Sequence, residues 1–338
     1  MQLDRTVPGT KSLLGFRWLV LATCAATYAL VVLGGVVRAT GSGDACPDWP
    51  RCHGELLPPL ETDVLIEFSH RLVASLVGLL VLAVAVVAWR WQRRLPLAFW
   101  GATAALLLVG AQIVLGGMTV LSDLPSSMVM AHLALAATLL AVLMAVAFAS
   151  FSGEQVRSAA LRDSAAGFRN LALVAAMASF GLMLTGSYVS GTGASLAFED
   201  WPLFDGRLLP EGGRLAMIHV THRLAAVAVG FLLVYVALRA WRSMRRHRPV
   251  LAGSLLALAI YGAEVLVGAA NIWTLLQPAA TSAHLALAVA LWGTLVVVAL
   301  LAQQAAEVVS PRADAPAAEA SLGLARVRSG GLPAGGDS

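Results

Sequence analysis

Eight separate stretches of this chain stay apolar for about twenty residues or more, which settles the secondary structure before any motif is considered. They lie near 16–37, 67–89, 97–120, 128–150, 169–190, 214–238, 249–272 and 280–303. At about 1.5 Å rise per residue, each is long enough to cross a hydrocarbon layer about 30 Å thick. No water reaches the amides of a segment inside that layer, so its backbone must close its own hydrogen bonds as an α-helix. With 59% hydrophobic and 12% charged residues among 338, the chain also lacks the polar surface of a water-soluble domain. The first run is too long, and too poorly followed by a small-residue cleavage site, to read as a removable signal peptide. The expected fold class is an all-α polytopic membrane protein with eight transmembrane helices.

Basic residues set the orientation. One side of the membrane receives Arg5, Lys11 and Arg17, then Arg90, Arg93 and Arg94, then Arg157, Arg162 and Arg169. It also receives Arg239, Arg242, Arg245, Arg246 and Arg248. The other side receives two longer loops, near 38–66 and 191–213, which carry Asp44, Asp48, Glu55, Glu61, Asp63, Glu199, Asp200, Asp205 and Glu211 against few arginines. The positive-inside rule then places both termini in the cytoplasm and the acidic loops outside. The tail 304–338 is rich in Ala, Gly, Pro and Ser without apolar periodicity, and is expected to be disordered and cytoplasmic.

A shift of 152 residues, which takes His132 to His284, lays one half of the chain over the other. It carries AHLALA at 131–136 onto AHLALA at 283–288, and HRLVASLVG at 70–78 onto HRLAAVAVG at 222–230. It also carries GAQIVLGG at 110–117 onto GAEVLVGA at 262–269, and DWP at 48–50 onto DWP at 200–202. Charged and aromatic positions repeating at one offset are not what a biased composition produces. Four spans per half return the chain to its starting side, so both halves insert with the same orientation. The expectation is two four-helix bundles, 16–150 and 169–303, related by an axis along the membrane normal.

The repeat preserves two histidines per half, His70 with His132 and His222 with His284. Each lies near the outer end of its span, roughly 5–10 Å inside the helix start. Two imidazoles at one depth can supply both axial ligands of a haem held between helices, with Arg71 or Arg223 approaching a propionate. The bland alternative is a structural hydrogen bond at each ring, for which four matched copies are poor support. Zinc needs three or four gathered ligands, and a di-iron centre needs more acids than Glu264 alone adds within the spans. His247, in a basic loop, reads as a solvated bystander; His53, beside Cys52, reads as surface chemistry or a transient metal contact.

The halves differ at two places. Glu67 stands one turn before His70, and its counterpart is His219. A carboxylate beside one site only suits proton-coupled chemistry, with Glu67 accepting or relaying protons; the alternative is an interfacial, water-exposed carboxylate. Cys46 and Cys52 occupy the first outer loop, where oxidation is permitted, and the second outer loop has no cysteine. Closed as a ring they would clamp the loop; as thiols they could exchange electrons. Cys24, inside the first span, reads as a small packing residue.

These motifs, with GGVVRATGSGDACPDWPRCHGELLPP at 34–59, EFSHR at 67–71 and THRLAA at 221–226, resemble the haem A synthase family over nearly all eight spans. Members convert haem O to haem A by oxidising a porphyrin methyl group to a formyl group. The resemblance implies His70 and His132 at the substrate-haem iron, Glu67 as the functionally important carboxylate, and His222 and His284 as ligands of haem b. It also implies a Cys46–Cys52 disulfide; the second-half cysteine pair of some relatives is missing here. A bacterial cell membrane, contact with membrane lipid, an unidentified electron-transfer partner and haem O synthase as a candidate partner follow from the same resemblance, with no nucleic acid expected. A di-haem cytochrome exchanging electrons with a quinol would explain the histidines but not the asymmetries. A transporter would explain the duplication but not histidines placed towards the outer ends.

Overall fold

The computed structural model describes residues 10–55, 58–151 and 162–306. Eight helices account for almost all of them: α1 (Thr10–Thr40), α2 (Thr62–Trp91), α3 (Pro96–Leu121), α4 (Ser126–Phe151), α5 (Arg162–Gly191), α6 (Arg214–Ser243), α7 (Arg248–Trp273) and α8 (Pro278–Ala306). All eight are long and apolar enough to cross a membrane. Leu79, Leu107 and Phe231 are more than half exposed, as side chains facing lipid should be.

Each helix outruns its apolar window. The expected second span began at Glu67, whereas α2 begins at Thr62, because polar residues at a membrane surface continue a helix that hydrocarbon has nucleated. Prolines open α3 at Pro96 and α8 at Pro278, where a missing N–H costs nothing. Helix α8 runs to Ala306, three residues past the expected end of its span. The remainder of the predicted tail, 307–338, lies outside the described residues, as do Arg5 and Arg157.

The helices close into two rings. In the first, α1 packs on α2 and α4, and α3 packs on α2 and α4; in the second, α5 packs on α6 and α8, and α7 on α6 and α8. Between the rings α1 meets α8, α5 meets α4, and α4 meets α8. Exchanging the halves leaves this pattern unchanged, which is the two-fold relation the repeat demands, with α4 and α8 at its centre.

Matched pairs of contacts hold both rings. A Cβ on Gly101 of α3 would lie 2.6 Å from Val146 of α4, and one on its counterpart Gly253 of α7 would lie 2.7 Å from Val298 of α8. Only glycine permits that approach. At the other end Arg17 Nε donates to the carbonyl of Ser150 (2.7 Å), tying α1 to α4, and Arg169 donates to Gln303 Oε1 (2.6 Å), tying α5 to α8. Across the centre the Tyr28 hydroxyl of α1 donates to the Ala286 carbonyl of α8 (3.0 Å), and within the second ring Phe180 of α5 stacks at a tilt on Trp292 of α8, 5.8 Å between centroids.

Candidate functional site

The four repeated histidines take equivalent places. His70 stands eight residues into α2 and His132 six residues into α4. His222 and His284 stand at the same steps along α6 and α8. That is about 12 Å and 9 Å along the helices, deeper than the apolar windows suggested because the helices begin earlier. α2 and α4 are opposite members of the first ring, as α6 and α8 are of the second. The two imidazoles of each ring therefore come from facing helices at similar depth.

Behind every imidazole lies a glycine of the adjacent helix. A Cβ on Gly34 would sit 3.1 Å from His70 Nε2, and one on Gly116 3.1 Å from His132 Cε1. In the second ring a Cβ on Gly186 would sit 3.1 Å from His222 Cε1, and one on Gly268 3.0 Å from His284 Cε1. The repeat thus includes the glycines: Gly34 maps onto Gly186 and Gly116 onto Gly268. Each gives its ring a backbone seat that any larger residue would fill.

The outer end of the first ring is built on Glu67 and Arg71, one turn apart on α2. Glu67 is buried, which removes the water-exposed alternative. Its Oε2 accepts a 2.7 Å hydrogen bond from the Cys46 backbone N–H, and its Oε1 pairs with the Arg71 guanidinium. Arg71 also donates to the carbonyls of Cys46 (2.9 Å), Asp48 (2.7 Å) and Arg51 (2.6 Å). It therefore grips the outer loop instead of standing free for a propionate, because three loop carbonyls and one carboxylate match its planar fork.

Cys46 and Cys52 are joined in a disulfide, both fully buried, with Cα atoms 4.7 Å apart. Asp48 ties the same loop by accepting from the N–H groups of His53 (2.6 Å) and Gly54 (2.8 Å). Those donors, Gly54 first, hold its carboxyl below the usual range. His53 adopts φ 57°, and its Nε2 lies 2.9 Å from the Ala45 carbonyl, so its role is internal to the loop. Trp49 packs on Gly117, next to the glycine that seats His132. The loop thus reaches from α2 to α3 across the mouth of the first ring.

The second outer loop copies this frame with different side chains. Asp200 accepts from the N–H groups of Asp205 (2.8 Å) and Gly206 (2.7 Å), and Arg223 donates to the carbonyls of Leu203 (2.7 Å) and Asp200 (2.9 Å). Phe198 and Phe204 replace the two cysteines and meet edge to face, 5.0 Å between centroids. Arg223 lies over both rings, and His219, in the place of Glu67, accepts from Arg223 Nε (3.1 Å).

Two further side chains reach the second pair of histidines, and sequence reasoning did not place them. Thr185 Oγ1 lies 2.8 Å from His222 Nδ1, and Glu264 Oε1 lies 3.1 Å from His284 Nδ1. The signal was available: Thr185 precedes Gly186, and Glu264 stands one turn before Gly268 on the same face of α7. His247 differs from expectation too, since its ring caps α7 by accepting from the Val250 N–H at 3.4 Å. Cys24 of α1 packs among core residues of the first ring, as expected.

Among the described residues no three histidine, cysteine or acidic side chains gather into a protein-only metal site. Two opposed imidazoles per ring suit instead a metal whose other ligands arrive with it, as in a porphyrin.

The cytochrome oxidase assembly protein family matches residues 17–296. Heme A synthase of Shouchella clausii is 30% identical over 268 residues, covering 77% of this chain and 87% of the relative. Heme A synthase of Geobacillus kaustophilus is 29% identical over 308 residues, covering 90% and 97%. That of Symbiobacterium thermophilum is 30% identical over 286 residues, covering 81% and 91%. Most of both rings, both outer loops and all four histidines fall inside the matched region, and the chain belongs to the cytochrome oxidase assembly protein family.

Proposed function

We propose that this chain is a haem A synthase, a membrane oxidoreductase that converts a methyl group of haem O into the formyl group of haem A. The change adds one oxygen atom; with water as its source, four electrons leave the substrate and four protons are released, two from the methyl group and two from the water. The observation that carries the reading is the fourfold seat, an imidazole against a glycine on opposed helices of each ring.

The residues present suit haem at both places. The buried Nδ1 of His132 makes no hydrogen bond among the described residues, nor does that of His284, so the bundle alone leaves one imidazole of each ring with an unsatisfied nitrogen. The glycine seats let each imidazole lie against backbone, with no side chain of that glycine in its way. In this reading His70 and His132 hold haem O as substrate, and His222 and His284 hold haem b. Haem b supplies one-electron redox chemistry when bound. Glu67, one turn from His70, takes protons released near the reacting methyl, and Arg71 keeps that carboxylate turned towards the loop. The disulfide loop lies over the first ring and limits the entry of water.

Cytoplasmic termini and extracytoplasmic outer loops belong to the same proposal, supported by the arginine bias. An electron-transfer partner must remove what the oxidation releases, and haem O synthase is the natural supplier of substrate.

The test is pigment extraction from detergent-purified protein supplied with haem O. Haem A and a hydroxylated intermediate beside protohaem are expected. Protohaem alone, with haem O unchanged, would identify an electron-transfer cytochrome instead.

A further inference from the structure

Resting on the ligand assignment just proposed, we infer that Glu264 and Thr185 are positioning residues that make the second ring retain its haem, while the first ring, lacking both, lets its haem exchange.

At the nitrogen that faces away from a metal, one second-ring imidazole is held by a hydroxyl and the other has a carboxyl beside it. Thr185 spends its own proton on the Leu182 carbonyl (2.7 Å), so its oxygen can only accept from His222 Nδ1–H. Glu264 Oε1, an acceptor, stands 3.1 Å from His284 Nδ1. His222 is thereby fixed in the tautomer with Nδ1 protonated and the Nε2 lone pair free to ligate, and the Glu264 carboxyl stands close enough to His284 Nδ1 to favour the same form there.

The 152-residue register shows what the first ring has instead. Thr185 maps onto Leu33, which has no polar atom to offer His70. Glu264 maps onto Gln112, whose Oε1 is buried without a partner, as is Nδ1 of His132. Where the second ring sets an acidic side chain beside His284, the first ring has a neutral amide at the matching position.

Glu264 has no cationic partner of the Arg71 kind. Among the described residues its ion-pair neighbour is His284, and its Oε2 is buried with no partner. The contact between Glu264 and His284 strengthens if the ring becomes a better donor at Nδ1. A metal at Nε2 does that by drawing electron density from the ring, and ferric iron draws more than ferrous. Glu264 should therefore hold haem in place and favour its oxidised form. The same contact in the first ring would oppose turnover, since product must leave there.

The test uses full-length protein in detergent loaded with protohaem, followed by E264Q, which installs the side chain the first ring carries. Haem loss to apomyoglobin should quicken by about tenfold to a hundredfold, the usual consequence of removing such a partner. The midpoint potential should rise by about 59 mV for each tenfold lost in ferric preference. T185V should quicken loss with a smaller change in potential, because it removes a neutral acceptor. The reciprocal Q112E variant should slow loss from the first ring, and it tests the idea even if E264Q fails to fold. Unchanged potential and loss rate in E264Q, or unchanged first-ring loss in Q112E, would overturn the inference while leaving the ligands standing. A haem content per protein that falls in neither H222A nor H284A would instead remove the ligand assignment itself.

Discussion

The carboxylate of Glu67 and the backbone N–H of Cys46 meet at 2.7 Å, joining a membrane helix to the loop that crosses its mouth. Neither residue lies near the other in sequence, and both are buried. The contact makes the acid of α2 part of the loop's anchorage as well as a neighbour of His70.

Glu67→Gln should leave the haem spectrum largely intact, because no imidazole is touched. Conversion of haem O should fall by about 10²–10⁴-fold, the range for losing a general acid or base. Chromatography of extracted pigments measures this directly. Conversion at the parent rate would show that Glu67 only fastens the loop.

Arg71→Lys removes a fork that serves three carbonyls and one carboxylate. A single ammonium can satisfy only part of that set, so the loop should loosen by about 2 kcal/mol. Faster hydrogen exchange at the amides of Cys46, His53 and Gly54 would report it. Parent-like protection at all three would mean that the disulfide alone orders the loop.

Replacing both Cys46 and Cys52 by serine should destabilise the first loop by about 2 kcal/mol, as the short enclosed ring implies. The complementary double variant F198C/F204C should form a second disulfide, since Arg223 and Asp200 hold that loop in the same frame. Mass spectrometry after thiol blocking distinguishes the outcomes. Two free thiols in the purified double variant would mean that the loops are less alike than their hydrogen bonds suggest.

Gly268→Ala and Gly116→Ala each place a methyl 3.0–3.1 Å from an imidazole carbon and should weaken haem binding at that ring. Gly262→Ala is the control, because nothing lies within 4 Å of a Cβ there. It should retain haem and gain up to about 1 kcal/mol of helix stability. Equal haem content in all three proteins would contradict the seat geometry.

Much of the fold was legible because hydrocarbon leaves the backbone so few choices. Run length gave eight helices, and the 152-residue register gave two rings and paired their histidines. The same register carried the glycine seats, although nothing in Gly116 alone says that an imidazole lies against it. What stayed hidden depends on how each helix is turned. These helices are apolar nearly all round, so their sequences do not announce an inward face. Arg71 looked free for a propionate because the loop carbonyls that occupy it are backbone atoms, invisible to side-chain patterns. Glu264 looked isolated because its partner, His284, comes from the next helix. The Phe198–Phe204 pair was unreadable as a substitute for the disulfide until both loops could be laid side by side.

The twin lids are fastened by different chemistry, and they should answer differently to a reducing agent. Thiols that reach the buried sulfurs can undo the clasp over the Glu67 ring, whereas two phenyl faces under a guanidinium have nothing to reduce. A shift in redox conditions would therefore unlatch one mouth of the molecule and leave its sibling shut.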